Sequence, residues 1–254
     1  MKQRLDKLVA ARGLAATRSE AESWIRLGRV RVDGKLVQKP GTFVPEAAVV
    51  TLDAPERYVS RAGLKLASVA KALGIDFTGK VVLDVGSSTG GFTDYALQHG
   101  AKKVIAVDVG TDQLHPKLRN DSRVELYEKT DIRDVESRVT SHESRENAVV
   151  IEVPDIVVID VSFISLKEIL PHVSKLVTRD SRIIAMVKPQ FEAGKGQLGG
   201  SGVVKNNALR RTILKDFEAW VKRLFIVVQK ADSQVAGAHG NVERFYLLRK
   251  ITVK

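Results

Sequence analysis

The 254-residue chain contains no cysteine. That absence excludes a disulfide framework, a cysteine-ligated zinc site, an iron–sulfur cluster and a thiol nucleophile. No stretch approaches the roughly 18 consecutive apolar residues that cross a bilayer as a helix. The start, Met1-Lys2-Gln3-Arg4-Leu5-Asp6-Lys7, alternates charge with apolar groups and lacks the apolar run of a signal peptide, so a cytoplasmic protein without a membrane partner is expected. The histidines (His99, His115, His142, His172 and His239) are too scattered for a metal cluster, and no metal is expected.

Positive charge is what the chain has in excess. Lys and Arg number 41 against 30 Asp and Glu, a net charge of +11. With 44% hydrophobic residues the chain is globular and long enough to bury a core without staples. A basic chain of this kind points to a polyanionic partner, most often nucleic acid; a basic enzyme whose charge only aids solubility is the alternative. The excess is uneven. Residues 1–40 hold ten basic and four acidic residues, a surplus of six. Such a concentration predicts a separate amino-terminal module.

Within that module Leu5, Leu8 and Val9 have helical spacing and Gly13 can close the helix. Thr17-Arg18-Ser19-Glu20 has the form of a capping box, so a second helix starts near Arg18, with Ala21, Trp24 and Ile25 on one face. Val30 and Val32 alternate with Arg29 and Arg31 ahead of Asp33-Gly34, then Leu36 and Val37, which predicts a tight hairpin. Arg4, Arg18, Arg26, Arg29 and Lys35 are the candidate RNA contacts, with a solvated charged face as the competing reading.

Past the short polar stretch Asp53–Arg57, strands and helices alternate. Strands are predicted over 80–85, 104–109, 124–127, 156–161, 182–187, 225–229 and 244–251, and helices over 92–99, 165–177 and within 204–224. This alternation predicts an α/β domain with a doubly wound, mostly parallel sheet. Residues 137–147 form a polar stretch, read as an exposed loop or a short surface helix.

Asp84-Val85-Gly86-Ser87-Ser88-Thr89-Gly90-Gly91 ends the first of these strands and opens a helix. Glycines there let backbone approach a ligand, and the helix start offers free N–H groups. The spacing matches neither the dinucleotide fingerprint nor a phosphate loop. Asp108 ends the second strand, where a carboxylate can accept from both hydroxyls of a ribose, and Asp131 follows the third, where it can meet an adenine amino group. Three acids so placed suit S-adenosylmethionine, a nucleoside without phosphates. An ordinary glycine turn with solvated acids is the alternative.

Four further ionisable residues occupy unusual places. Lys65 lies ahead of the first strand, Asp160 ends the strand after Ile159, Lys188 ends the strand after Val187, and Glu243 just precedes the last strand. Carboxyl ends of parallel strands line the binding crevice of an open α/β sheet, and an antiparallel last strand would bring Glu243 to the same edge. Two lysines close together and partly buried hold their protons less firmly, so one can serve as a general base for a ribose 2′-hydroxyl attacking the methyl of a sulfonium. Singly, each residue reads equally as a salt bridge. Phe163 and Phe191 follow two of these strands and can stack a nucleobase or pack in the core. His239 has a substrate-side role or none, and 194–202 is read as a mobile lid or a plain loop.

These residues carry a resemblance. Arg4-Leu5-Asp6-Lys7-Leu8, Thr17-Arg18-Ser19-Glu20-Ala21, Gly28-Arg29-Val30 and Val32-Asp33-Gly34 resemble the RNA-binding domain of ribosomal protein S4. Tyr58-Val59-Ser60-Arg61, the segment Asp84 to Thr93 (with Phe92), Asp160-Val161-Ser162-Phe163-Ile164-Ser165-Leu166, Lys188-Pro189-Gln190-Phe191-Glu192 and Gly240-Asn241-Val242-Glu243 resemble the FtsJ-like ribose methyltransferases, and the whole chain resembles the TlyA, or haemolysin-A-like, family. The resemblance implies a Rossmann-like methyltransferase sheet behind a small α+β RNA-binding domain, divided as 1–53, a linker 54–59, and 60–254. It implies S-adenosylmethionine-dependent 2′-O-methylation of ribosomal RNA, at cytidine, by a monomer that meets ribosomal subunits. Lys65, Asp160, Lys188 and Glu243 are then the catalytic set, with Lys188 activating the hydroxyl. Asp84, Gly86, Ser87, Ser88, Thr89, Gly90, Gly91, Phe92, Asp108 and Asp131 are the cofactor residues. A non-catalytic ribosome assembly factor and a membrane-active haemolysin are the other readings.

Overall fold

The computed structural model describes residues 2–15, 18–26, 28–52, 58–137, 149–194, 203–204, 206–235, 237 and 241–251. Its amino-terminal elements are β1 (Lys2–Arg4), α1 (Leu5–Ala11), α2 (Arg18–Arg26), β2 (Val30–Val32), β3 (Lys35–Leu36), β4 (Phe43–Pro45) and β5 (Val50–Leu52). Leu5, Leu8, Val9, Ala21, Ile25 and Val30 meet in a small core of their own. Beyond α1, Gly13 takes a left-handed φ of 69°, the predicted helix stop. The predicted hairpin forms: Asp33 and Gly34 have φ of 49° and 77°, the turn that matches strand twist, and β2 pairs with β3 across it. Thr17, half of the predicted capping box, lies outside the described residues. Strands β1, β4 and β5 carry no pattern in the sequence, because three-residue strands are too short to show a period.

Asp6 organises this module. It is fully buried, and it accepts from Arg4 Nε at 3.0 Å, Arg4 Nη2 at 2.8 Å, the Lys7 amide at 2.9 Å and Arg18 Nε at 2.8 Å. Arg4 comes from β1 and Arg18 from the start of α2, so one carboxylate ties three elements together. Two of the five candidate RNA contacts are therefore committed to an internal ion pair. Arg26 and Lys35 remain exposed and Arg29 is partly exposed.

The second unit comprises α3 (Arg61–Ala70), β6 (Val81–Val85), α4 (Gly91–Gln98), β7 (Lys103–Val107), α5 (Pro116–Arg119), β8 (Val124–Tyr127), β9 (Val135–Ser137), β10 (Val149–Ile151), β11 (Ile156–Ile159), α6 (Leu166–Leu176), β12 (Arg182–Val187), α7 (Pro189–Glu192), α8 (Asn207–Val221), β13 (Phe225–Asp232) and β14 (Arg244–Lys250). Seven strands form one sheet in the order β13-β14-β12-β11-β6-β7-β8. β6, β7, β8, β11 and β12 are mutually parallel, and β14 runs antiparallel to both β12 and β13. The expected mostly parallel sheet with a reversed last strand is the one found. The β7 and β11 ladders stop before Asp108 and Asp160, two residues short of the predicted ends. Helix α3 and the β9–β10 pair have no counterpart among the predicted elements. Of the polar stretch 137–147, only Ser137 is described, and it is buried at the end of β9.

Side chains alternate between the two faces of the sheet. Val81, Leu83 and Val85 of β6, Val157 and Ile159 of β11, and Ile183, Ala185 and Val187 of β12 pack under α6 and α8. Val82, Val158, Ile184, Met186 and, from β14, Phe245 and Leu247 pack under α3 and α4. These two helices cross closely: a Cβ on Gly91 would stand 2.7 Å from the Gly63 nitrogen and 2.3 Å from Ser60 Oγ, so glycine is required there.

Burial would raise the Asp6 carboxyl, yet hydrogen bonds from Arg4 and Arg18 hold it well below the usual carboxylate range. Its folded pKa is depressed, so its contribution is present above the unfolded value of about 3.9 and is lost as pH falls below it. Asp6→Asn removes the charge and leaves two guanidinium groups without their partner. A loss of about 1–3 kcal/mol is expected in the amino-terminal module. Amide exchange should show protection lost in α1, α2 and β2 and kept in the seven-stranded sheet; unchanged protection in α1 would refute the role given to Asp6.

Candidate active site

Alternation along the strands decides which side chains meet at the carboxyl edge. Asp84 shares parity with Val82, Asp160 with Val158, Lys188 with Met186, and Glu243 with Phe245, so all four fall on the face covered by α3 and α4. The reversed direction of β14 brings its start, and Glu243, to the edge where the parallel strands end. Val187 is opposite Arg244 in the β12–β14 ladder, so one further step along the register sets Lys188 beside Glu243. Lys65, on α3, faces them from the covering helix.

The contacts follow. Lys188 Nζ lies 2.6 Å from Asp160 Oδ1 and donates to Ser162 Oγ at 2.7 Å. Lys65 Nζ donates to Glu243 Oε1 at 2.8 Å, and Glu243 is only 2% exposed, with Oε2 buried and unpartnered. Each lysine thus has its own carboxylate. Segment 241–243 is held by backbone: Ser233 N donates to Glu243 O and Gly237 N to Asn241 O. Two features singled out in the sequence, His239 and the stretch 195–202, lie outside the described residues.

The glycine-rich turn forms two adjoining cavities. One of 530 Å³ is lined by Gly86, Ser88, Asp108, Asp131, Ile132 and Asp160 together with Val109, Ile164 and Ile169. A smaller one of 140 Å³ is lined by Asp84, Ser87, Thr89, Phe92, Asp160, Ser162 and Lys188, and shares Gly86 and Ser88 with the first. Gly86 has a φ of 79°, and a Cβ there would meet the Asp160 carbonyl at 2.9 Å. Asp108 accepts from Ser88 N at 2.8 Å and Gly110 N at 2.7 Å. Asp131 caps a short 3-10 turn, Ile132–Asp134, and its two oxygens are gripped by Arg133 at 2.9 and 2.6 Å. Gly90 and Gly91 line neither cavity: they admit Leu118 and α3 at close range. Phe92 is mainly core, packed against Phe245.

Asp84 is the least comfortable acid. It accepts from Thr93 Oγ1 at 2.7 Å while Oδ1 is buried and unpartnered. Burial pushes its carboxyl up to about 7, against the Thr93 hydrogen bond and with help from the Asp160 and Asp108 charges. Ser87 Oγ is likewise buried without a partner. A cavity wall of four acids with an orphaned carboxylate oxygen and hydroxyl fits a cationic ligand that carries its own N–H and O–H donors.

Sequence reasoning missed several residues of the site. Ser162, the acceptor for Lys188, had a signal in its position two residues after Asp160. Gln113, which accepts from Ser88 Oγ at 2.9 Å, had none. Phe163 and Phe191 form a tilted pair 5.3 Å apart. Phe163 is outside the core: it is 92% exposed and has a φ of 66°, a left-handed backbone that costs an aromatic residue about 1–2 kcal/mol.

A mostly parallel sheet with a reversed edge, a glycine-rich turn after its first strand and acids along its carboxyl end is the architecture of a Rossmann-like methyltransferase. The FtsJ-like methyltransferase family matches residues 58–250 and the S4 domain matches residues 3–50, so the chain belongs to the FtsJ-like methyltransferases and carries an S4 domain in front. TlyA of Mycobacterium tuberculosis, a 16S/23S rRNA (cytidine-2′-O)-methyltransferase, is 39% identical over 252 residues, which is 98% of this chain and 90% of that one. A structure from Streptococcus thermophilus described as a hemolysin is 39% identical, with a TM-score of 0.71 over 98% of this chain and 88% of its own. An S-adenosylmethionine dependent methyltransferase of Listeria monocytogenes shares the fold, with a TM-score of 0.53 at 17% identity over 76% of this chain and 99% of that one. Among the described residues no helix is long and apolar enough to cross a membrane, and no group of acids and histidines is arranged to hold a metal ion.

The folded pKa of Asp84 is raised, so the stability linked to its neutral form is full below about pH 4 and is lost as pH rises through about 7. Asp84→Asn keeps the acceptor for Thr93 without the buried charge. The ligand-free variant should gain on wild type by a few kcal/mol at pH 8, on the order of three pKa units, and by little at pH 4. Urea unfolding at the two pH values checks this; an equal difference at both would show that Asp84 does not titrate between them.

Proposed function

We propose that the protein transfers the methyl group of S-adenosylmethionine to the 2′-oxygen of a ribose, at a cytidine, in ribosomal RNA. The observation that carries this is the pairing of Lys188 with Asp160 and of Lys65 with Glu243 on one face of the sheet edge, beside the acid-lined cavities. Asp108 is suited to the two ribose hydroxyls of the cofactor, Asp131 with Ile132 to its adenine, and Asp84 with Ser87 to its amino acid end. When bound, S-adenosylmethionine supplies a methyl group on a sulfonium, ready for in-line attack.

The chain's own residues do the proton work. Lys188 accepts the 2′-hydroxyl proton as the oxygen attacks. Asp160, 2.6 Å away, stabilises the ammonium that results, and Ser162 fixes the direction of the side chain. Glu243 offers its unpartnered Oε2 as an acceptor while Lys65 holds Oε1, which orients the ribose. Water later takes the proton from Lys188. Phe163, held out from the loop after β11, offers a stacking surface for the target base, with Phe191 at its side.

The amino-terminal module, taken as 1–53 with a linker 54–59 ahead of the catalytic domain 60–254, grips RNA through Arg26, Arg29 and Lys35, while Arg4 and Arg18 keep the module folded. The protein acts as a monomer on ribosomal subunits in the cytoplasm, a reading whose substrate is supported by the identity to a ribosomal RNA methyltransferase.

Wild type and Lys188→Ala, incubated with labelled cofactor and separated ribosomal subunits, test the enzymatic reading. Wild type should mark one or a few ribose positions, and Lys188→Ala should be slower by roughly 10²–10⁴-fold with cofactor affinity kept. Cofactor binding by wild type without transfer to any ribosomal RNA would leave an RNA-binding factor. For the RNA grip, replacing Arg26, Arg29 and Lys35 by Ala should weaken RNA binding with the module still folded. The slope of log affinity against log salt should fall by roughly one for each phosphate that is no longer neutralised. An unchanged slope would count against these three.

A further inference from the structure

Glu192 takes no part in the chemistry described above, yet it joins its two halves. It closes α7, the short helix that begins just after Lys188. Its Oε2 accepts from Ser165 Oγ at 2.6 Å and its Oε1 from the Leu166 amide at 2.7 Å. Burial raises its carboxyl above the ordinary range, against these two hydrogen bonds. Ser165 and Leu166 begin α6, and the loop that leads to them, 160–165, carries Asp160, Ser162 and Phe163. Four residues before Glu192, Lys188 grips the same loop at Ser162. The segment 188–192 therefore staples the loop at two points, and Phe163 stands between them.

A loop needs such a staple for a specific reason. Phe163 is exposed, so burial does not hold it, and its left-handed backbone is one an aromatic residue leaves when free to do so. Ser165 already caps α6 by accepting from Lys167 N at 3.1 Å. The acid that a capping box would take from Glu168 comes instead from Glu192, on another element.

We propose that Glu192 is a positioning residue for the RNA substrate: by fixing Ser165 and Leu166 it holds Phe163 in its outward, left-handed setting, so that the target nucleotide is presented to Lys188. This rests on the reading of Phe163 as the stacking surface for that nucleotide. Glu192 touches neither the cofactor cavities nor the reacting atoms. Its loss should therefore raise KM for RNA more than it lowers kcat.

The test compares Glu192→Ala, Glu192→Gln, Phe163→Ala and the double variant Glu192→Ala with Phe163→Ala, with exchange of the Leu166 amide measured alongside. Glu192→Ala should speed exchange at Leu166 at least tenfold and raise KM for RNA about tenfold, a larger change than in kcat. Glu192→Gln, which retains an acceptor for the Leu166 amide and a donor for Ser165, should restore KM to within about threefold. The double variant should be no worse than Phe163→Ala alone. Unchanged exchange at Leu166, failure of Gln to rescue, or multiplied effects in the double variant would each overturn the positioning role. Phe163→Ala with an unaltered KM would instead overturn the stacking surface on which that role rests, and exchange at Leu166 would still report the staple. Should Glu192→Ala melt below the assay temperature, Ser165→Ala, which removes one arm of the staple, replaces it in the same comparison.

Discussion

Two-residue periodicity along a β-strand is the constraint on which the rest of this site depends. Because alternate residues face alternate sides, a chain that fixes its apolar pattern in three parallel strands has also fixed where the polar residue at the end of each will point. Val82, Val158 and Met186 lie beneath α3 and α4. Asp84, Asp160 and Lys188 therefore emerge on that side. Glu243 joins them only because β14 runs backwards, since a parallel last strand would have carried its start to the opposite edge. A slip of one residue in the β12–β14 ladder would turn Glu243 toward α6 and α8 and leave Lys65 without its carboxylate.

The same geometry makes the charges workable. Lys188 and Lys65 lie on one face, where two ammonium groups would repel, and each is matched by a carboxylate at 2.6 or 2.8 Å. Among the described residues Asp84 has no such cation. Its neighbours are a threonine hydroxyl and two other acids, so the ligand-free site favours its neutral form. A cation entering the smaller cavity would reverse that preference. Of the four acids, Asp131 is held by Arg133 and Asp160 by Lys188, which leaves Asp84 and Asp108 as the acids that a cationic ligand would chiefly meet.

Much of this was legible in the chain. The β-branched runs located the parallel strands to within about two residues, and the acids after them located the cofactor edge, because both rest on local pattern. The four ionisable residues could be singled out by their positions at strand ends. Their pairing could not, because it depends on α3, whose Arg61–Ala70 span shows no strong signal and whose Lys65 meets a residue 178 positions away. The acid that meets the start of α6 is Glu192, which reaches Ser165 and Leu166 from another element. Local sequence signals name the capping residue well and its tertiary partner poorly.

The amino-terminal module shows the same limit in its charge. Ten basic residues in the first forty suggested a separate module with Arg4, Arg18, Arg26, Arg29 and Lys35 as candidate RNA contacts. Yet a small module with a core of short apolar side chains needs more than burial to hold β1, α1 and α2 together, and a buried carboxylate supplies it by drawing in Arg4 and Arg18. An Asp at the start of α1 also interacts favourably with the helix dipole there. Positive charge in this module accordingly has two uses that composition cannot separate. Some of it neutralises Asp6 and is fixed by the fold, and the exposed remainder, which includes Arg26, Lys35 and in part Arg29, is the portion that a phosphate backbone can reach. Removing the first kind changes whether the module exists, whereas removing the second changes only what it holds.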